Sequence, residues 1–229
     1  MRTRESAAAL LRQTTALLAG VEPDRRPAHE VIAQAWRPGD RELAELVRVA
    51  LVLCADHELN ASAFAARVVA STGASLHGAV AAGLAALSGP EHGGGTARAH
   101  AFIEDALGAE SVQRHVLARL QRGEGLPTFG HPLYPDGDPR AALLLRKLDE
   151  IRPRPPRLAG VRALISAATE ATGKAPSTDF ALAALAAVYE LDVEAGLVLF
   201  AAGRVAGWLA HALEQQASGG LIRPRASYV

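Results

Sequence analysis

The sequence predicts an all-α protein, and three observations carry that expectation. About a fifth of the 229 residues are alanine, and alanine and leucine, the best helix formers, dominate an apolar fraction of 49%. Only 4% of the residues are aromatic, and β-branched runs are scarce, so strands have little to be built from. Apolar residues also recur at helical spacing in segments separated by glycine, proline and capping residues. The length allows one or two domains with a sizeable core and no need of disulfide or metal staples.

The helices can be placed in order. Residues 5–19 form an amphipathic first helix that ends in the polar, proline-containing stretch 20–30. A short helix follows near 29–36. Gly39-Asp40 caps a third helix over 41–55. Helices over 61–72 and 75–87 are broken at Thr72-Gly73. Residues 88–95 (SGPEHGGG) hold four glycines and a proline in eight positions and cannot continue a helix. Helices over 96–107 and 109–121 precede a second breaker-rich loop, 123–139 (GEGLPTFGHPLYPDGDP). Helices over 140–151, 158–172, 178–190 and 193–217 complete the chain, and the tail after them is irregular.

Charge and cysteine content exclude several classes. Lys+Arg and Asp+Glu are both 24, so the chain has no basic excess with which to bind nucleic acid. All but two of the cations are arginine, which fits either bidentate anion recognition or genome composition. A lone cysteine, Cys54, rules out internal disulfides and Cys-based zinc sites and is expected to pack in the apolar run around it. No stretch of about 18 uncharged apolar residues occurs, so no membrane helix is expected. The charged N-terminal stretch lacks a signal-peptide pattern, and a cytoplasmic location is expected. There is no GxxxxGK[ST], GxGxxG after a strand, GxSxG or HExxH. No metal-ligand spacing is present.

The chemistry-bearing residues gather at loops, where function concentrates. His92 lies between Pro90-Glu91 and three glycines. Such a loop can bring backbone amides close to a ligand with the imidazole as acid–base group, or it can be a flexible loop with an incidental histidine. His131 sits in a proline-stiffened loop, and Asp138 and Pro139 supply an N-cap and first position for the next helix. Arg140 on that first turn points its fork back toward the loop. Together they suit an oxygen-rich anion, unless Arg140 merely pairs a nearby acid in a structural turn. Asp179 opens a strongly apolar helix. It is a candidate base whose pKa the helix dipole lowers, or simply part of the cap. Arg204, Trp208 and His211 share one face of the last helix. Arg223 and Arg225 lie in the tail, where solvation is the ordinary expectation. His29, His77, His100 and His115 show no evident partners.

Taken in order, the segments ADHELNAS (55–62), GPEHGGG (89–95), FGHPLYPDGDPRA (129–141), PSTDF (176–180), GRVAGWLAHALEQ (203–215) and IRPRASY (222–228) resemble the citrate synthase family over residues 45–229. The resemblance implies catalytic roles for Asp179 as the base that takes a methyl proton from an acyl-CoA, for His92 as donor to the enol oxygen, and for His131 as the group that polarises the ketone of oxaloacetate. It implies that His57, Arg140 and Arg204 hold substrate carboxylates, with Arg223 supplied by the neighbouring subunit. It implies no permanently bound cofactor, with the coenzyme A thioester as substrate. It further implies a homodimer or a pairing with a longer homologous subunit, and no nucleic-acid or membrane partner.

The implied architecture is a large helical domain, 1–92 with 186–229, carrying an inserted small mobile domain, 93–185. The implied reaction is condensation of acetyl-CoA with oxaloacetate to citrate, as in the tricarboxylic acid cycle, or citryl-CoA cleavage. A non-catalytic or regulatory paralogue that binds a carboxylate metabolite is the alternative. Several positions depart from the family pattern. Members are longer before residue 55. Pro132 and Pro135 stand where basic residues are common. Thr96 and Ser177 replace asparagines. The carboxylate-binding set is kept, and the changes fall toward the coenzyme A side.

Overall fold

Five of the helices in residues 2–226 begin at a side-chain cap. In the computed structural model, which describes residues 2–226, eleven helices and no strand beyond one isolated bridge are present among those residues. They are α1 (Arg2–Leu18), α2 (Ala28–Trp36), α3 (Arg41–Cys54), α4 (Ala61–Ser71), α5 (Leu76–Leu87), α6 (Gly95–Gly108), α7 (Val112–Gln121), α8 (Pro139–Asp149), α9 (Pro156–Thr172), α10 (Thr178–Val188) and α11 (Ala195–Ser218). The side chains of Asp40, Asn60, Ser75, Ser111 and Asp138 each accept a hydrogen bond from a first-turn amide of α3, α4, α5, α7 and α8. The sequence expectation starts α7 at residue 109. The Ser111 cap sets its true beginning three residues later.

The helices pack as two groups. α11 lies against α1, α3, α4 and α5, and α2 packs on α1 and α3. The other group joins α6, α7, α8, α9 and α10, and α10 also packs on α11. The alanine content explains how closely these helices approach. In α10 every residue from Phe180 to Val188 is buried. On α11, a Cβ at Gly203 would stand 2.7 Å from the Leu51 carbonyl oxygen, and one at Gly207 would stand 2.2 Å from that of Ala55. Glycine at both positions lets α11 rest directly on the end of α3, the contact that brings Arg204 to the α3 terminus.

α11 is long and apolar enough to cross a membrane by length and composition, yet 67% of its apolar window is buried inside the protein. It is the core helix of this fold. Cys54 is fully buried as expected, and burial raises its thiol pKa to about 12.

Candidate active site

Six residues singled out in the sequence line one cavity of about 370 Å³: His57, His92, His131, Arg140, Asp179 and Arg204. They come from the α3–α4 connection, the α5–α6 connection, the loop before α8, the first turns of α8 and α10, and the middle of α11. Both helical groups therefore contribute. Asn60, Glu91, Pro132, Leu133, Thr178 and Phe200 complete the lining.

Asp138 organises one wall. Its buried carboxylate caps α8 through the Arg140 amide (3.0 Å) and receives the Arg140 fork at Oδ1 (2.9 Å) and Oδ2 (2.8 Å). Oδ2 also accepts the Thr178 amide (3.1 Å) and hydroxyl (2.6 Å), so one carboxylate ties the starts of α8 and α10 together. Burial would push this carboxyl up, but the bonds from Arg140 and Thr178 overcome it and hold the pKa at about 2. Arg140 thus pairs its neighbour and still faces the cavity. Among the described residues its Nη1 has no protein partner. The loop before α8 is held to the approach of α10 by two further bonds. Gly130 N–H donates to the Ala175 carbonyl, and Ser177 N–H to that of Thr128, both at 2.8 Å.

Asp179 sits beside Asp138 with the opposite electrostatics. Its Oδ1 is buried and has no hydrogen-bond partner among the described residues. Burial raises its pKa to about 6 despite Arg140. The sequence expectation is a candidate base whose pKa the helix dipole lowers, or a part of the cap. Instead desolvation outweighs the arginines and the backbone amide that lower it. The glycine run explains how it fits. A Cβ at Gly95 would stand 2.8 Å from the Asp179 carboxyl carbon. Side chains at Gly93 and Gly94 would strike the carbonyls of Leu87 and Pro90 (2.2 and 2.6 Å). The run therefore packs against its own chain and against Asp179, a tighter use of small residues than an adaptable ligand loop.

Arg204 is 1% exposed, and among the described residues no carboxylate pairs with it. Its Nε donates to the Cys54 carbonyl (2.6 Å), and its guanidinium lies 4.8 Å from the Phe200 ring centre. Burial lowers its pKa from the ordinary value. A buried guanidinium left unneutralised by the protein calls for an anion in the adjoining cavity.

The three imidazoles share a design. Each has one nitrogen held by the protein. His57 Nε2 meets Tyr134 Oη at 2.9 Å, and His92 Nε2 meets Ser62 Oγ at 2.8 Å. His131 Nδ1 accepts from the Leu133 amide (3.1 Å), which places the proton of the neutral ring on Nε2. Burial lowers the pKa of all three, helped at His57 by Arg140 and Arg204 and at His92 by Arg204. Neutral rings tethered in this way present one free nitrogen each to an oxygen-bearing ligand.

Three contributors, Asn60, Ser62 and Tyr134, escaped the sequence reading, as did the wider role of a fourth, Asp138. Ser62 and Asn60 support His92, because the Ser62 hydroxyl also lies 2.8 Å from Asn60 Oδ1. Tyr134 stands behind His57. Asp138 was expected only as a cap. Conversely, Trp208 and His211 do not join Arg204 at the cavity. Trp208 packs where a Gly83 side chain would be (2.5 Å), and His211 bonds Asp56 (3.1 Å). Arg223 is exposed on the tail and does not line this chain's own cavity, and Ser227 and Tyr228 of the quoted segment lie outside the described residues.

A family model described as citrate synthase, C-terminal domain, matches residues 2–225. Citrate synthase 2 of Bacillus subtilis is 35% identical over 192 residues, which cover 80% of this chain and 50% of that protein. The chain spans about half the length of the curated relatives it matches. Among solved structures, the citryl-CoA lyase of Hydrogenobacter thermophilus aligns with a TM-score of 0.78 and 30% identity, over 89% of this chain and 81% of that one. The ternary complex of carboxymethyl coenzyme A and oxaloacetate with citrate synthase from Thermoplasma acidophilum aligns with a TM-score of 0.81 and 27% identity, over 99% and 66%.

Proposed function

Since the chain belongs to the citrate synthase family, we propose that it forms or cleaves a carbon–carbon bond between an acyl-CoA methyl carbon and the ketone carbon of oxaloacetate. The observation that carries this reading is the pairing of Asp179, a buried carboxylate with an unbonded oxygen, with an unneutralised Arg204 on one cavity. The first is a base, and the second binds an anion.

In the condensing direction, Arg204, the free Nη1 of Arg140 and His57 hold the two carboxylates of oxaloacetate. His131 donates its Nε2 proton toward the ketone oxygen. Asp179 takes a proton from the acyl methyl group. As the thioester oxygen gains charge, His92 donates to it, which requires the Ser62 proton to turn toward His92 Nε2 so that Nδ1 carries the hydrogen. The nucleophilic carbon then attacks the ketone carbon, and the C=O π electrons move to oxygen, which takes the His131 Nε2 proton to become the hydroxyl. The thioester carbonyl re-forms with His92 keeping its proton, and the proton on Asp179 returns through solvent to His131. Water releases coenzyme A from the thioester. Cleavage of a citryl-CoA runs the carbon steps in reverse, with protonated Asp179 returning its proton to carbon. Tethering the rings and fixing the Arg140 fork orders the site before substrate arrives, which lowers the entropic cost of reaction.

The supporting architecture is an inserted small domain over 93–185 that closes on a large domain of 1–92 and 186–229 and excludes water. The two packing groups of helices, meeting at the cavity, support it. A cytoplasmic homodimer, with Arg223 completing the neighbouring site, fits an arginine carried on an exposed tail. The alternative of a carboxylate-binding paralogue without turnover is disfavoured by Asp179, because a second anion in the cavity weakens binding and only catalysis needs it.

Thiol release from acetyl-CoA plus oxaloacetate, with propionyl-CoA and citryl-CoA cleavage run alongside, tests the reading. Turnover by at least one of these, lost in Asp179→Asn, supports it. Oxaloacetate binding by calorimetry with no turnover of any acyl-CoA overturns it in favour of the binding paralogue. The mass of the purified assembly distinguishes homodimer from monomer.

A further inference from the structure

Tyr134 does not line the cavity, yet it touches three residues that do. Its hydroxyl lies 2.9 Å from His57 Nε2. Its ring lies 5.6 Å from the His57 ring and 5.1 Å from the His131 ring, and the Arg140 guanidinium stands 5.5 Å from its centre. His57 comes from the α3–α4 connection, whereas Tyr134, His131 and Arg140 belong to the loop and helix on the opposite wall. One phenol therefore joins the two sides of the site.

Hydrogen-bond arithmetic gives that contact a direction. A neutral imidazole has one N–H and one bare nitrogen, and a phenol has one proton to give. Among the described residues the Tyr134 hydroxyl has no other partner, and His57 Nδ1 has none. If the phenol donates to Nε2, the ring's proton sits on Nδ1, and Nδ1 is the polar ring atom left for a ligand. A carboxylate can only accept hydrogen bonds, so that tautomer is the one useful to it.

We propose that Tyr134 is a positioning residue for carboxylate binding: its hydroxyl donates to His57 Nε2 and so fixes His57 as the Nδ1–H tautomer that donates to the substrate carboxylate. This rests on the reading of the cavity as a dicarboxylate site. It lets a ring that burial and the nearby arginines keep neutral act as a donor without taking up a proton. The same side chain braces His131 and Arg140, so the carboxylate and ketone contacts are set together.

Tyr134→Phe removes the hydroxyl and keeps the ring. The expected result is a roughly tenfold rise in KM for oxaloacetate, or in its calorimetric Kd, from loss of one hydrogen bond to a charged acceptor. The acyl-CoA KM and the melting temperature stay near the wild-type values. Oxaloacetate affinity in the variant should improve as pH falls below neutral, because protonating His57 then restores the missing donor, whereas the wild type changes less over that range. Nitrogen-15 NMR of the wild type should show His57 protonated on Nδ1. A His57 protonated on Nε2 in the wild type, or equal oxaloacetate affinity and pH dependence in both proteins, overturns the proposal. If the wild type binds no oxaloacetate at all, the dicarboxylate reading itself fails.

Discussion

Asp179 shows how the smallest scale of the site opposes stability. Its pKa rises from 3.8 to about 6 because the ionised form is desolvated. The folded state thus binds the proton more tightly than the unfolded chain. The stability from this group is full below pH 3.8 and is lost as pH rises through about 6, so near neutrality the ionised carboxylate costs on the order of 2–3 kcal/mol. Asp179→Asn should remove that cost. Its melting temperature should exceed the wild type's at pH 7–8 and converge with it near pH 4, while turnover falls by roughly 10² to 10⁴. Chemical denaturation at the two pH values, together with the thiol assay, checks both halves. Equal stability at pH 8 would show that the carboxylate is solvated and that its burial has no energetic weight. For the same reason, the wild-type rate in the proton-abstracting direction should rise with pH through about 6.

At the scale of elements, Asp138 is the joint between α8 and α10, and its linkage runs the other way. Its pKa is held at about 2, so its contribution to stability is present above 3.8 and is lost as pH falls through about 2. Asp138→Asn leaves Arg140 without its carboxylate and disturbs the bonds to Thr178. A loss of about 3–5 kcal/mol at pH 7 is expected, as for other buried pairs stripped of one partner, and the deficit should shrink toward pH 2. Urea unfolding over that range checks it. A uniform loss at every pH would assign the effect to packing rather than charge.

The same joint marks what the sequence made legible. Helix boundaries were readable because caps and breakers are local: Asp40 and Asp138 each announce a first turn by residue type. His92, His131 and Arg140 were readable because they stand in or beside breaker-rich loops, and Asp179 because it opens an apolar helix, whereas the roles of His57 and the mid-helix Arg204 came only with the family resemblance. The second role of Asp138, its bond to Thr178, spans 40 positions and leaves no local signal. Nor does a glycine reveal which neighbour would meet its missing side chain, so the sequence leaves the 93–95 run open between a ligand loop and a flexible loop. Asp179 was misjudged electrostatically for a related reason. The dipole that lowers its pKa is local, whereas the burial that raises it comes from residues distant in sequence.

For the molecule as a whole, zero formal net charge conceals a cavity on which two arginines converge. Arg204 is buried by one helical group without a carboxylate, and Arg140 faces it from the other with one nitrogen unpaired. Under the proposed function, a dicarboxylate bound between them would satisfy both and bridge the two groups, so binding and cohesion would be one event. At a ligand concentration about 100 times Kd, binding to the folded state alone contributes about 2.7 kcal/mol. For a chain of this length that corresponds to roughly 5–10 °C in melting temperature. Oxaloacetate should therefore raise Tm by about that amount, whereas a monocarboxylate of similar size should do far less. Arg204→Met tests the origin of the effect, because methionine fills similar space without the desolvated charge. The unliganded variant should be as stable as the wild type or more so, and its ligand-induced shift should vanish. A variant that loses several kcal/mol without ligand yet keeps the full shift would place the anion elsewhere. The guanidinium would then be part of the scaffold rather than the feature that makes the scaffold incomplete without substrate.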